Sequence, residues 1–353
     1  MLAATFDIGT TAVKAVVVNE NGEPVFTGSS VIHTIETGNF KEQDPDEWYG
    51  SFCKLSKEMF EIIPPKEIGA IIFSGQMQDV ISVGAEGKAL RNAILYSDGR
   101  ADEQARVIIR EAARRNVVPL GDAYIAEITG NHFDGSMPLA KILWLKENEP
   151  ENFKRIKKIM LPKDYLAYKL SGTFCTDYFD ASGMLLLDVK NKCWSKQMME
   201  ICGVSEEQLP KLFESYEVVG TLKEDIAEEL GLSKEVKIIA GAGDNAAAAV
   251  GTGTVGDGMC NISLGTSGTI FISSKTFGVD SNNALHSFDH ADGYYHLMGC
   301  MLSAASCNKW WMDEILQEKD HVAAQKDIKT LGQNHVYFLP YLMGERSQHN
   351  DPL

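Results

Sequence analysis

A glycine followed by two hydroxyl residues makes a tight turn whose backbone N–H groups and side-chain O–H groups can converge on one anion, as phosphate oxygens require. The chain carries that arrangement twice, as Gly9-Thr10-Thr11 and as Gly265-Thr266-Ser267. Each copy follows an apolar strand, Thr5-Phe6-Asp7-Ile8 or Asn261-Ile262-Ser263-Leu264, and leads into a β-branched one. One such turn would be an ordinary hairpin. Two matched copies point to a duplicated fold with one cradle per half, closing on the phosphates of a nucleotide. Asp7 precedes the first turn and can hold Mg²⁺ through water, because that ion dehydrates reluctantly; the same residue also reads as a turn cap. The run from Lys237 to Ala249, KIIAGAGDNAAAA, is a strand, a glycine turn and an alanine helix, with Asp244 at the junction. Asp244 is either a plain N-cap or a carboxylate facing a cleft, able to take the proton of an attacking hydroxyl. The paired cradles favour the second reading, since phosphoryl transfer asks a protein mainly for positioning and charge neutralisation.

The elements that must position these groups follow from the apolar pattern. Residues 3 to 30 read as three strands joined by the Gly9 turn and by Asn19-Glu20-Asn21-Gly22, a hairpin signal. Asp44-Pro45 opens an amphipathic helix, EWYGSFCKLSKEMFEII. Ile68 to Phe73 is a short buried strand ending in Ser74-Gly75-Gln76-Met77-Gln78, which places polar side chains where open α/β sheets bind ligands. Helices are expected over ADEQARVIIREAARR, PLAKILWLKENEPENF and KEDIAEELG, and strands at Val236 to Ala240 and Met259 to Ile272. The mixture is α/β in both halves. Three competing motifs fall away. Gly251-Thr252-Gly253-Thr254-Val255-Gly256 follows a helix and precedes a strand, the reverse of a dinucleotide site, and reads as a loop. His286, His290 and His296 lack the spacing of a zinc site. No G-x-x-x-x-G-K-[ST] run occurs, so a P-loop is excluded.

The chain has 353 residues, 44% of them apolar, enough for two domains, which are expected at 1–236 and 237–353. A net charge of −16 opposes nucleic acid and anionic membranes as partners. The seven cysteines are scattered, without a C-x-x-C pair, as expected of reduced thiols in a cytoplasmic protein. Neither a signal peptide nor an apolar run of bilayer length is evident, so no membrane association is expected.

Taken in order, FDIGTTAVKAVVVNENGEPV, EQDPDEW, SGQMQ, ILYSDGRA, ITGN, LPKDYLAYKLSGTFCTD, ASGMLLLDV, GAGDNAAAAVG, SLGTSG, LHSFDHA, MLSAAS and FLPYLMGERSQHNDP span nearly the whole chain. With these motifs the sequence resembles the FGGY carbohydrate kinases of the actin-like and hexokinase-like superfamily, and within them the D-xylulokinases. The resemblance implies a duplicated ribonuclease H-like α/β fold, with two domains around a cleft. It also implies ATP-dependent phosphorylation of a ketose, D-xylulose before other pentuloses or polyols, with ATP and Mg²⁺ as cofactors. It marks Asp244 as catalytic base and Asp7 as the metal-linked aspartate. Gly9, Thr10, Thr11, Gly265, Thr266 and Ser267 become the phosphate contacts; Gln76, Met77, Gln78, Asp244 and Asn245 surround the sugar. The expected partners are sugar and ATP, with a homodimer as an allowed assembly. Xylulokinases carry Gln-Met-His where this chain has Gln76-Met77-Gln78, so a titratable ring is replaced by a neutral amide. Family members also continue past Asp351-Pro352-Leu353 with a glycine-rich adenine loop. The second domain is accordingly expected to be truncated, with weak nucleotide affinity and uncovered apolar faces such as that of LSAASCNKWWMDEIL. An actin-like or chaperone-like ATPase and an inactive fragment are the competing readings.

Overall fold

The strand Leu2–Ile8 (β1) alternates Ala4, Phe6 and Ile8 on one face with Ala3, Thr5 and Asp7 on the other, and the first set is fully buried. Such alternation is what a sheet with one packed and one open face demands. β1 pairs antiparallel with Ala12–Val18 (β2), which pairs in turn with Pro24–Val31 (β3). On its other side β1 pairs in parallel with Ile68–Gly75 (β4). The computed structural model describes residues 1–116, 120–265, 267–280, 285–326, 335–342 and 347. Among them, Val218–Thr221 (β5) and Lys237–Gly243 (β6) complete a six-stranded sheet in the order β5-β6-β4-β1-β2-β3.

The packed face is covered by Pro45–Phe60 (α1), with Trp48, Phe52, Leu55 and Met59 turned inward, and by Pro162–Ser171 (α5), which adds Tyr165, Leu166 and Leu170. Asp44 caps α1 by accepting from the Asp46 amide at 2.9 Å, and Pro45 occupies the first turn, as the sequence predicts. Phe6, Phe52 and Phe73 stack within this core, with the Phe6 and Phe52 ring centres 4.7 Å apart. Between β4 and α5 the chain builds a helical layer from Asp102–Asn116 (α2), Gly121–Thr129 (α3) and Pro138–Asn148 (α4), which has its own core around Ile108, Ile125, Leu139 and Ile142. Pro150 splits the expected helix 138–153 in two, because a proline amide cannot continue the hydrogen-bond ladder. Among the described residues no helix is long and apolar enough to cross a membrane.

A second, antiparallel sheet is formed by Cys260–Leu264 (β7), Gly268–Ser274 (β8), His286–Asp289 (β9) and Tyr295–Met301 (β10), ordered β7-β8-β10-β9. The repeated hairpin is present: β7 and β8 pair antiparallel from Leu264 opposite Gly268, as β1 and β2 do from Ile8 opposite Val13. The two sheets share a third core, in which Phe271, Phe288 and Met298 meet Met77, Phe179, Ala242 and Ala246. Ile262, Leu264, Ile270 and Ile272 of the second sheet are exposed, as are Trp311, Ile315 and Leu316 beyond it. β6, which opens the half expected at 237–353, lies inside the first sheet, hydrogen-bonded to β4. Removing an inner strand would leave its neighbours' backbone groups unpaired.

A buried charge cluster links the first core to the third. Lys163 Nζ lies 2.8 Å from Asp177 and 3.6 Å from Asp180 and is also paired with Asp164, with every one of these side chains at most 1% exposed. Asp177 caps Tyr178–Gly183 (α6) and accepts a hydrogen bond from Ser215 Oγ at 2.6 Å. α6 in turn delivers Phe179 to the third core. Burial holds the Asp180 carboxyl well above its usual range, against the pull of Lys163. Breaking a buried pair is costly because the remaining charges stay desolvated. Lys163→Met is therefore expected to cost about 3–5 kcal/mol by urea denaturation at neutral pH. That loss should shrink as the pH is lowered, because burial raises the folded-state pKa values of Asp164 and Asp180, which regain stability on protonation.

Candidate active site

Three parallel strands end side by side, and their register decides which residues meet. Asp7 of β1 stands opposite Ser74 of β4, which stands opposite Ala242 of β6; one step on, Ile8, Gly75 and Gly243 align. Two strand spacings separate β1 from β6, about 10 Å. Asp7 and Asp244 thus lie on either side of β4 and line one cleft of about 500 Å³ with Thr5, Ser74, Ala242, Ala247 and Ala248. A side chain at Gly243 would meet Met77 Cγ and Phe179 Cε1 at 2.6 Å, so only glycine lets β6 approach the C-terminal end of β4 closely enough.

Asp244 opens the helix Asp244–Gly251 (α7), where the helix dipole favours a negative charge. Asn245 Nδ2 donates to Asp244 Oδ1 at 2.9 Å, which fixes the carboxylate's orientation. Desolvation by the surrounding protein pushes the Asp244 carboxyl up to about 6, opposed by the Asn245 backbone N–H and helped by repulsion from Asp7. The side chain remains open to the cleft, so it can exchange protons with a bound hydroxyl. Asp7 is raised by burial and lowered by Lys14, whose Nζ stands 3.9 Å away. Its Oδ1 is buried and without a hydrogen-bond partner among the described residues, the state of an oxygen that fits a cation or its water shell.

The Gly9-Thr10-Thr11 turn is held from behind. Gln43, fully buried, donates through Nε2 to the Thr10 carbonyl at 2.7 Å and to Thr34 Oγ1 at 2.9 Å, while its Oε1 accepts from Trp48 Nε1 and Gln76 Nε2. The Ile32 amide donates to the Thr11 carbonyl at 3.1 Å. With the carbonyls engaged on that side, the Thr10 and Thr11 amides keep no partner among the described residues. Gln76, expected at the sugar, is buried and donates through Nε2 to Gln43, while its Oε1 has no hydrogen-bond partner among the described residues. Met77 packs against Phe179, and its sulfur lies 4.0 Å from Asn245 Nδ2. Gln78 is half-buried with φ of 65°, a left-handed backbone that costs a non-glycine residue about 1–2 kcal/mol.

Gly265 and Ser267 of the second turn are exposed and do not line the cleft that holds Asp7 and Asp244, and Thr266 lies outside the described residues. Gly251–Gly256 is a helix end and loop, as expected. The three histidines sit in the shared core: His296 stacks on Phe271 at 4.0 Å, His290 Nε2 pairs with the Thr254 carbonyl, and His286 Nδ1 pairs with Asn131 Oδ1. Sequence reasoning missed Gln43, Asp79, Tyr96 and Lys141. The available signal was polarity inside apolar runs, above all a lysine at the centre of Pro-Leu-Ala-Lys-Ile-Leu-Trp-Leu.

Comparison with known proteins agrees with this geometry. Residues 2–251 match the N-terminal domain of the FGGY family of carbohydrate kinases. The xylulose kinase of Escherichia coli K12 is 36% identical over 351 residues, spanning 98% of this chain and 70% of its own length. That of Bacillus subtilis is 34% identical, with 98% and 68% covered. The crystal structure of a xylulose kinase from Brucella ovis superposes with a TM-score of 0.88 at 35% identity, covering 100% of this chain and 71% of the other. The chain belongs to the FGGY family of carbohydrate kinases.

Proposed function

We propose that this chain transfers the terminal phosphoryl group of ATP to a hydroxyl of a ketose, D-xylulose before other pentuloses. The observation that carries the reading is the placement of Asp244 and Asp7 on the two sides of one cleft, with the sugar end of β4 between them. Asp244, titrating at about 6, is ionised at neutral pH yet basic enough to take a proton from the attacking hydroxyl, the compromise that general-base catalysis favours. Asn245 and Met77 form the wall beside it, and Gln78 stands at the strand end where the sugar hydroxyls would bind. The Gly9-Thr10-Thr11 turn would hold phosphate oxygens through its amides and hydroxyls. Asp7 would hold Mg²⁺, which when bound neutralises charge on the phosphates. Gly265, Thr266 and Ser267 remain the second set of phosphate contacts in this reading, and the names of the relatives favour xylulose as the sugar.

Electrostatics narrow the substrate further. Asp7 and Asp244 line the cleft and the buried Asp79 adds repulsion at Asp244, so an anionic sugar acid would meet like charge from several sides. A neutral polyol or ketose suits the site better than gluconate.

Two outcomes follow. In a screen of ATP-dependent phosphorylation across D-xylulose, D-ribulose, L-ribulose, L-fuculose, glycerol and gluconate, D-xylulose is expected to be the best substrate and gluconate a poor one. Asp244→Ala is expected to lower the rate by about 10²- to 10⁴-fold; wild-type ATP turnover without sugar, unaffected by that substitution, would point to an ATPase instead. The pH profile of kcat/KM is expected to fall on the acid side with an apparent pKa of about 6, since protonated Asp244 cannot accept the hydroxyl proton. A flat profile through that range would remove Asp244 from the base role.

A further inference from the structure

The left-handed backbone at Gln78 has to be held, and the groups that hold it also reach the phosphate turn. Lys141 projects from α4 into a site with no solvent exposure, where its Nζ donates to the Leu95 carbonyl at 2.7 Å and to the Gln78 carbonyl at 3.1 Å. Next to Gln78, the fully buried Asp79 accepts from the Tyr96 amide through Oδ1 at 2.6 Å, while its Oδ2 has no hydrogen-bond partner among the described residues. Between these contacts, Val80 and Ile94 exchange both backbone hydrogen bonds, at 2.9 and 3.1 Å. Residues 78–80 and 94–96 thus run antiparallel through one bridge, with an ammonium spanning the Gln78 and Leu95 carbonyls and a carboxylate holding the Tyr96 amide. The ribbon ends at Tyr96, whose hydroxyl lies 3.5 Å from Thr10 Oγ1 in the phosphate turn. Asp98, two residues on, is fixed by Arg100 and by the Lys41 amide, so the far end of the ribbon is anchored as well.

We infer that Lys141 and Asp79 are positioning residues that hold Gln78 at the sugar end and Tyr96 at the phosphate turn as one unit, so that acceptor and donor are set in register. This rests on the kinase reading above. The charges facing the pair fit a structural ammonium: Asp79, Asp98 and Asp134 attract Lys141, Arg100 opposes it, and Asp244 repels Asp79. Burial pushes the Asp79 carboxyl up and the Lys141 ammonium down, and their mutual attraction opposes both shifts. A neutral side chain in place of Lys141 would leave the Gln78 carbonyl unpaired and the buried Asp79 carboxylate without its countercharge, while the Leu95 carbonyl keeps the Asp98 amide.

The test uses Lys141→Met, Asp79→Asn and Asp79→Ala in the full chain, on the sugar that wild type turns over fastest, with hydrogen exchange read at residues 76–80 and 94–97. Lys141→Met is expected to raise the sugar KM by about tenfold or more with a smaller change in kcat, as loss of a charged hydrogen bond implies. Exchange should accelerate in both segments together. Asp79→Asn keeps an acceptor for the Tyr96 amide and should lose less than Asp79→Ala, which carries the test if Lys141→Met does not fold. A sugar KM within about twofold of wild type in a folded Lys141→Met protein, or a fall in kcat alone, would overturn the inference, since a purely structural role lowers only the active fraction. If wild type turns over none of the sugars, the kinase reading fails, while acceleration confined to one segment, or absent from both, still refutes the link.

Discussion

Parallel pairing among β1, β4 and β6 is the constraint on which the rest of the site depends. Parallel strands end on the same side of a sheet, so three distant segments deliver their C-terminal residues to one edge: Asp7 before a turn, Gln76 to Gln78 at a strand end, Asp244 at a helix start. A one-residue slip would turn Asp7 toward Phe6's core position and bury a carboxylate among aromatic rings. The apolar faces of α1 and α5 prevent that slip, because Phe6, Ile8 and Phe73 fit only with their side chains against Phe52 and Tyr165. Core packing in the first domain is in this sense the source of catalytic geometry.

Polar side chains then refine what the backbone places. Gln43 serves three elements at once, the Gly9-Thr10-Thr11 turn, α1 through Trp48 and the end of β4 through Gln76, and the last two of these bonds are buried. Lys163 does comparable work below α6, where it gathers three carboxylates and keeps Phe179 against Gly243. The second sheet joins through the same region: Phe271, Phe288 and Met298 pack on Met77 and Ala242, and the Ser287 amide donates to the Gly130 carbonyl at 3.0 Å. Movement of the second sheet would therefore be felt first at Met77 and Ala242, beside Asp244.

Much of this was legible in the sequence, for reasons that can be named. The hairpin over Gly9, the capped helix after Asp44 and the strand, turn and helix around Asp244 are local patterns, and local patterns declare themselves through spacing and capping chemistry. The sheet that β6 joins was not legible, because β6 reads as a new strand after a loop and nothing in a run such as KIIAGAG says which sheet it enters. The neighbour of Gln76 was hidden for a related reason. A polar residue at a strand end can face ligand or neighbour, and the partner that claims it, Gln43, lies thirty-three positions earlier. Asp79 and Lys141 were invisible as a pair, since their relation arises only when α4 crosses the ribbon of residues 78–80 and 94–96.

The most direct test of the account separates binding from chemistry in one protein. In Asp244→Asn, whose side chain has the same shape, sugar affinity by calorimetry and the single-turnover rate of phosphoryl transfer would be measured together. The account expects affinity within a few fold of wild type and a rate lower by about 10²-fold or more, because the amide keeps the geometry and lacks the base. An unchanged single-turnover rate would contradict it, and so would a loss of binding as large as the loss of rate.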